Sequence, residues 1–233
     1  MADRGFSDAP DLWLGVNPPA SRKMLIAAVE SFATHGYHAT TTRSIAERAG
    51  LSPGAMYVHF RSKLDLLCAV NVAGHAAVLT AVERALDGVA SPPARLRQLT
   101  SAFVSWHARN HTLARVIQYE LRAIPPERYE EIRPLRRRFE QIFREELQRG
   151  VQSGDFSVSD LRATTIALLS LGIDVARWYD QRQKVGPDEL GERYADIAMR
   201  MVSAEPHGTG GAAARTRTSK RAPPANRDAL APS

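Results

Sequence analysis

The sequence predicts an all-α protein, and three observations predict it. Apolar residues recur at three- and four-residue spacing along most of the chain. No convincing alternating stretch marks a strand. Ser, Thr, Pro and Gly stand where helices of that spacing would start and stop. The pattern divides into an N-terminal three-helix unit containing a helix-turn-helix and a longer C-terminal helical domain. No repeat recurs at a solenoid period.

In chain order, residues 1–19 read as a flexible arm punctuated by Asp, Gly and Pro, with Leu12, Trp13 and Leu14 as its only sticky part. A helix follows over 20–35, with Leu25, Ala28, Val29 and Phe32 on one face and Gly36 as its stop. In "TTTRSIAERAG", Thr41 or Thr42 caps a short helix that points Ile45, Ala46 and Ala49 inward and ends at Gly50. Pro53 suits the first position of the next helix, over 53–60. Ser62 caps a long helix to about residue 87, with Leu64, Leu67, Val70 and Leu79 apolar. Further helices are expected at 92–108, 112–124, 126–152, 159–181 and 187–204. Pro134 should kink or split the third of these, and Ser157 or Ser159 should cap the fourth. From Glu205 the chain is rich in Gly, Pro, Ala and basic residues and holds almost no large apolar ones, so 205–233 reads as a disordered basic tail. The expected organisation is an arm at 1–19, a helix-turn-helix domain at 20–66, a helical domain at 67–204 and the tail.

Composition narrows the function. The 233 residues carry a formal net charge of +6, which favours acidic partners. Cys68 is the only cysteine, which excludes an internal disulfide and fits a reducing cytoplasm. The apolar run at 166–175 is too short to span a bilayer, and the acidic N-terminus lacks a signal pattern, so no membrane partner is expected. Enzyme chemistry finds no support, since there is no Gly-rich phosphate loop and no nucleophile–base set in a known context. His107 and His111 are four apart, but no Glu follows His107 and no third ligand is evident. Neither metal nor cofactor is expected.

The stretch "LSPGAMYVHF" carries the functional signal. Two short helices joined by a Gly-containing turn make a helix-turn-helix, whose second helix enters the major groove of DNA. Ser52, Pro53, Gly54 and Ala55 are small enough to let the backbone approach base edges. Met56 and Phe60 share the inward face, which leaves Tyr57 and His59 projecting toward the DNA backbone.

The segment "TTRSIAERAGLSPGAMYVHFRSKLDLL" resembles the DNA-binding domain of TetR-family transcriptional regulators, from about Arg22 to Leu67. The shared features are the Thr-Thr-Arg entry, Ile-Ala, the Gly-Leu-Ser turn, Tyr-x-His-Phe and the Ser-Lys that opens the next helix. The resemblance implies that Thr42 holds a phosphate and that Arg43 reaches a base edge or phosphate. It implies that Ser52, Pro53, Gly54 and Ala55 sit over bases, and that Tyr57, His59 and Lys63 hold phosphates. Val58 departs from the pattern, since many members carry an aromatic there.

A lone unit of this size binds weakly, so a homodimer on a palindromic double-stranded operator is expected, with an interface through the helices near 159–181 and 187–204. The first of these is apolar nearly all round, and the second carries a stripe of Leu190, Tyr194, Ile197, Ala198, Met201 and Val202. The resemblance also implies a pocket for a small-molecule effector, apolar or amphipathic, among the middle helices. Candidate lining residues are Phe103, Trp106, His107, Val116, Tyr119, Phe139, Phe143 and Leu169. Asp174 and Arg177 read as a helical ion pair, and the arginines at 133, 136, 137 and 138 as a solvated face. "VARWYD" resembles a subset of regulators of lipid, sterol or other acyl-CoA catabolism. The whole reads as a ligand-responsive repressor, in which movement of the helix at 62–87 changes the spacing of the two recognition helices. The alternatives are a regulator that needs no inducer or a ligand carrier without DNA binding.

Overall fold

The computed structural model describes residues 10–13, 16–180 and 182–203, and among these it contains no strand. Among the described residues ten α-helices follow one another: α1 (Pro19–Ala39), α2 (Thr42–Arg48), α3 (Pro53–His59), α4 (Lys63–Leu86), α5 (Pro92–Arg109), α6 (His111–Tyr119), α7 (Pro126–Tyr129), α8 (Arg133–Gln152), α9 (Leu161–Trp178) and α10 (Pro187–Ser203). The tail expected at 205–233 lies outside the described residues.

Capping explains most boundaries. Ser52, Ser62 and Ser91 each accept the backbone N–H three residues on, starting α3, α4 and α5. Thr41 and Ser44 exchange bonds across the first turn of α2 in a capping box. Two expectations shift. Gly36 does break the first helix, with φ at 78°, but a further turn over 37–39 carries the chain on before Thr40. Asp160, rather than Ser157 or Ser159, caps α9, because its carboxylate accepts the Ala163 N–H at 2.9 Å. Pro134 splits rather than kinks, since it occupies the first turn of α8 and leaves α7 as a separate turn.

The N-terminal arm departs from its expectation. Residues 10–13 form a 3₁₀ turn, and Leu12 and Trp13 are buried in the main core beside α4. Two large apolar side chains supply enough burial to hold so short a segment.

By length and composition α4 could span a membrane. Its burial against α1, α5, α6 and α8 accounts for that composition instead. Both of its ends are tied by cations. At the start, Lys63 Nζ donates to the carbonyls of Tyr37 (2.6 Å), Thr40 (2.6 Å) and His38 (3.2 Å) at the end of α1. At the finish, Arg95 of α5 donates to the Leu86 and Val89 carbonyls at 3.1 and 2.7 Å. The same guanidinium grips the buried Glu146 of α8 through two bonds of 2.8 and 2.9 Å.

α10 packs most extensively on α5. Gly191 makes this possible, because a Cβ there would run into Ser105 Oγ and come within 2.6 Å of the Ser101 carbonyl oxygen. That oxygen is backbone and cannot rotate away. Gly191→Ala should therefore destabilise the fold by about 1–3 kcal/mol, despite the helical preference for alanine. An unchanged urea midpoint in the variant would refute the close approach.

Candidate nucleic-acid interface and ligand cavity

The helix-turn-helix is built around a small buried centre. Ile45 and Ala46 of α2 and Met56 of α3 are fully buried, and the turn closes through Leu51 N–H to the Ala46 carbonyl at 2.9 Å. This packing turns one edge of both helices outward. Ser52, Pro53 and Gly54 are exposed along the start of α3, with Ala55 half-buried behind them. A Cβ on Gly54 would meet nothing nearer than Ser52 Oγ at 4.0 Å, so the fold itself does not demand glycine there. The small residue leaves this edge flat.

Tyr57 is 58% and Val58 77% exposed. The Tyr57 hydroxyl lies 3.4 Å from Thr42 Oγ1, so two hydroxyls from the two helices meet at the rim of this surface. Arg43 is exposed and holds Glu47 at 2.9 Å. Exposed pairs one helical turn apart are weak, so a phosphate or a guanine edge can displace Glu47. His59 is half-buried at the end of α3, with no hydrogen bond among the described residues.

Lys63 is the exception among the expected phosphate ligands. Its ammonium is engaged by the three α1 carbonyls and also sits 4.4 Å from the centre of the Tyr37 ring. An ammonium has three N–H donors, so none remains for a phosphate. Lys63 instead fixes α1 to the first turn of α4.

In the second domain a cavity of about 320 Å³ lies among α4, α5, α6, α8 and α9. Phe103, Trp106, His107, Phe139 and Leu169 line it. Three expected residues do not border it. Phe143 is packed behind Phe103, their ring centres 5.3 Å apart. Val116 is buried, but Ala114 and Ile117 hold the cavity side of α6, and one residue is a third of a helical turn away. Tyr119 ends α6 and is exposed.

The sequence reading missed Gly74, His75 and Val78 of α4, and Tyr129 of α7. It also took the arginine run for a solvated face. Arg133, Arg136 and Arg137 border the cavity, and only Arg138 turns away, to Glu83. Arg133 pairs with Glu130 at 2.5 Å, whereas Arg136 and Arg137 have no ion pair among the described residues. The side near α8 is the open one, since Arg137 and Glu140 are exposed. Residues 133, 136, 137 and 140 share one helix face, which in sequence alone reads as charge turned to solvent; Phe139 belongs to a neighbouring face, one turn on from Arg136.

His75 and His107 are both buried in the lining. Burial is the main cause that brings each pKa down to about 4, opposed by a backbone hydrogen bond. Arg136 lowers His75 further, and His75 lowers His107. Both imidazoles are neutral at pH 7.

The outer face of α9 presents Ile166, Leu171 and Trp178 to solvent, and α10 adds Ile197. α9 is therefore buried on one side in the single chain. The stripe expected on α10 divides: Leu190, Ala198 and Val202 pack inward, while Tyr194, Ile197 and Met201 keep some exposure. Asp174 and Arg177 form the expected pair, at 2.7 and 2.9 Å, on the exposed side.

Comparison with known proteins agrees with both halves. Residues 25–70 match the family described as bacterial regulatory proteins, tetR family, and residues 89–202 match the tetracyclin repressor-like C-terminal domain. The chain is 30% identical over 190 residues to the HTH-type transcriptional repressor KstR2 of Mycolicibacterium smegmatis, covering 78% of this chain and 90% of that protein. A crystal structure of a tetR-family regulatory protein from Rhodococcus RHA1 is 40% identical, with a TM-score of 0.76, covering 82% of this chain and all of that one. FadR of Bacillus subtilis, solved in complex with stearoyl-CoA, is 26% identical with a TM-score of 0.65, covering 76% of this chain and 97% of that one.

The buried histidines make stability depend on pH. Each folded pKa lies below the ordinary value of 6.5, so the unfolded chain binds more protons between them, and stability is lost as pH falls from 6.5 toward 4. The loss should be about 2 kcal/mol per histidine between pH 7 and pH 5. Urea midpoints at the two pH values should fall less in His107→Gln than in the parent chain. An equal fall in both would mean that His107 is not buried in its neutral form.

Proposed function

Because this chain belongs to the tetR family of bacterial regulatory proteins, we propose that it is a cytoplasmic, ligand-responsive repressor that binds a palindromic operator as a homodimer. The observation that carries this reading is the course of α4. Its first turn is bonded through Lys63 to the end of α1, where the chain enters the helix-turn-helix, and its middle supplies Gly74, His75 and Val78 to the cavity wall. A ligand in the cavity therefore touches the helix that carries the DNA-reading unit.

Thr42, Arg43, Tyr57 and His59 are the proposed contacts to phosphate or base edges, with Ser52, Pro53, Gly54 and Ala55 over the bases. The exposed apolar residues of α9 and α10 support a dimer interface on that face. The effector is an amphipathic anion. Phe103, Trp106, Phe139 and Leu169 favour an apolar tail, and Arg136 and Arg137 at the open side favour a negative head. An acyl-CoA thioester has this form, and the FadR relative was solved with one.

Arg128 supports a route between the sites. On α7 it donates to Asp65 of α4 at 2.7 Å and to Glu131 at 2.9 Å. Asp65 is also held by Ser62, the cap of α4, at 2.9 Å. Tyr129, the next residue after Arg128, lines the cavity. An effector that shifts α7 pulls on the first turn of α4. It releases DNA only by binding the DNA-incompetent form more tightly.

Fluorescence anisotropy on DNA from the protein's own upstream region, against scrambled DNA, tests the reading. Arg43→Ala should weaken specific binding about tenfold or more, and Tyr57→Phe should weaken it by a smaller factor. Decanoyl-CoA should release the DNA, and Arg136→Ala with Arg137→Ala should raise the concentration required. Arg128→Ala should keep decanoyl-CoA binding, followed by calorimetry, while blunting release. No DNA release by acyl-CoA thioesters of any chain length would refute the effector class, and equal binding to scrambled DNA would refute the operator claim.

A further inference from the structure

The cavity contains two polar groups for which a saturated acyl chain has no use. His75 of α4 and His107 of α5 both line it. Each ring bonds back to a carbonyl one helical turn earlier: His75 Nδ1 to Asn71 at 2.8 Å, and His107 Nδ1 to Phe103 at 2.7 Å. A carbonyl oxygen only accepts, so Nδ1 carries the proton in both rings. With both rings neutral at pH 7, each Nε2 is left with a lone pair and no proton.

Among the described residues no donor meets either Nε2, and neither atom is sealed within the packing. The two rings are close enough for His75 to influence His107. They are also packed among aromatics, His107 against Phe103 at 4.4 Å and His75 against Phe139 at 6.2 Å between ring centres. An alkyl chain laid over this wall would strip water from two acceptors and give nothing back.

We propose that His75 and His107 read a hydroxyl on the apolar part of the effector, so that a hydroxylated amphipathic compound is bound in preference to a plain saturated chain of the same form. This rests on the cavity being the effector site. A hydroxyl donates to one Nε2 and can still accept, for example from the Gln118 amide or the Trp106 indole N–H, which belong to residues of the same lining. A ketone of the same size can only accept, and it faces the two lone pairs with another.

The test compares 2-decanol with 2-decanone on the full chain by titration calorimetry. The two probes match in size and differ in donating a hydrogen bond. The alcohol should bind about tenfold tighter or more, as one buried acceptor satisfied or left unmet predicts. In at least one of His75→Leu and His107→Leu, whichever removes the acceptor used, the ratio should collapse toward one, with ketone binding kept or improved. A ratio taken within one variant is insensitive to moderate loss of stability, and the ratio in the unaltered chain stands even if a variant fails to fold. Equal binding of the two probes, binding of neither, or a ratio unchanged in both variants would overturn the proposal. Decanoyl-CoA, run in parallel, separates it from the acyl-CoA reading. Alcohol preference without thioester binding retains the histidine pair and removes the thioester, and thioester binding without alcohol preference does the reverse.

Discussion

The arrangement depends on one ammonium group. Lys63 gathers three carbonyls from the broken end of α1, where Gly36 has turned the chain out of its helix. Carbonyls at a helix end need donors from outside the helix, and that cation supplies one to each of them. It fixes the two helices on either side of α2 and α3, whose own packing around Ile45, Ala46 and Met56 turns one edge outward. Arg95 does a similar service at the other end of α4, closing the Leu86 and Val89 carbonyls while bonding the buried Glu146. A helix tied at both termini by charge-assisted hydrogen bonds moves as a unit, so a disturbance at its middle is felt at its ends.

The two working surfaces follow opposite rules. On the DNA side the polar groups are left weakly committed. Arg43 has only an exposed carboxylate, and Tyr57 only a long hydroxyl contact at 3.4 Å. Groups held this weakly exchange partners at little cost. Inside the cavity the polar groups are fixed, with each imidazole locked by its own helix. That rigidity turns an apolar pocket into a selective one, because an unmet acceptor there is not rescued by water.

The fold was largely legible in the sequence because helix periodicity and caps are local signals. The helix-turn-helix was the most legible part, since its small, apolar and polar positions are set by a few neighbouring turns. Chemistry that needed long-range placement was not legible. Lys63 looks like a phosphate ligand in its sequence context, and only the return of residues 37–40 in space reveals its other task. Arg136 and Arg137 look like surface charge until α8 is laid across α5. His75 sits in an apolar run whose burial hid it. In the arm, Leu12 and Trp13 stand out locally as its sticky part, but the site beside α4 that receives them is a matter of long-range placement.

Gly74 has a mechanical meaning. A Cβ there would collide with Ile117 Cδ1 and reach 3.3 Å from Leu113, so α6 bears closely on α4 here. The contact stands eleven residues beyond Lys63, which at the helical rise is an arm of about 16 Å. A tilt of about five degrees around such a fulcrum carries the far end about 1.4 Å, more than the range of lengths a good hydrogen bond accepts. Small strains at the bearing are thus amplified before they reach the groove-facing helices, and a slightly larger side chain at position 74 would jam the hinge.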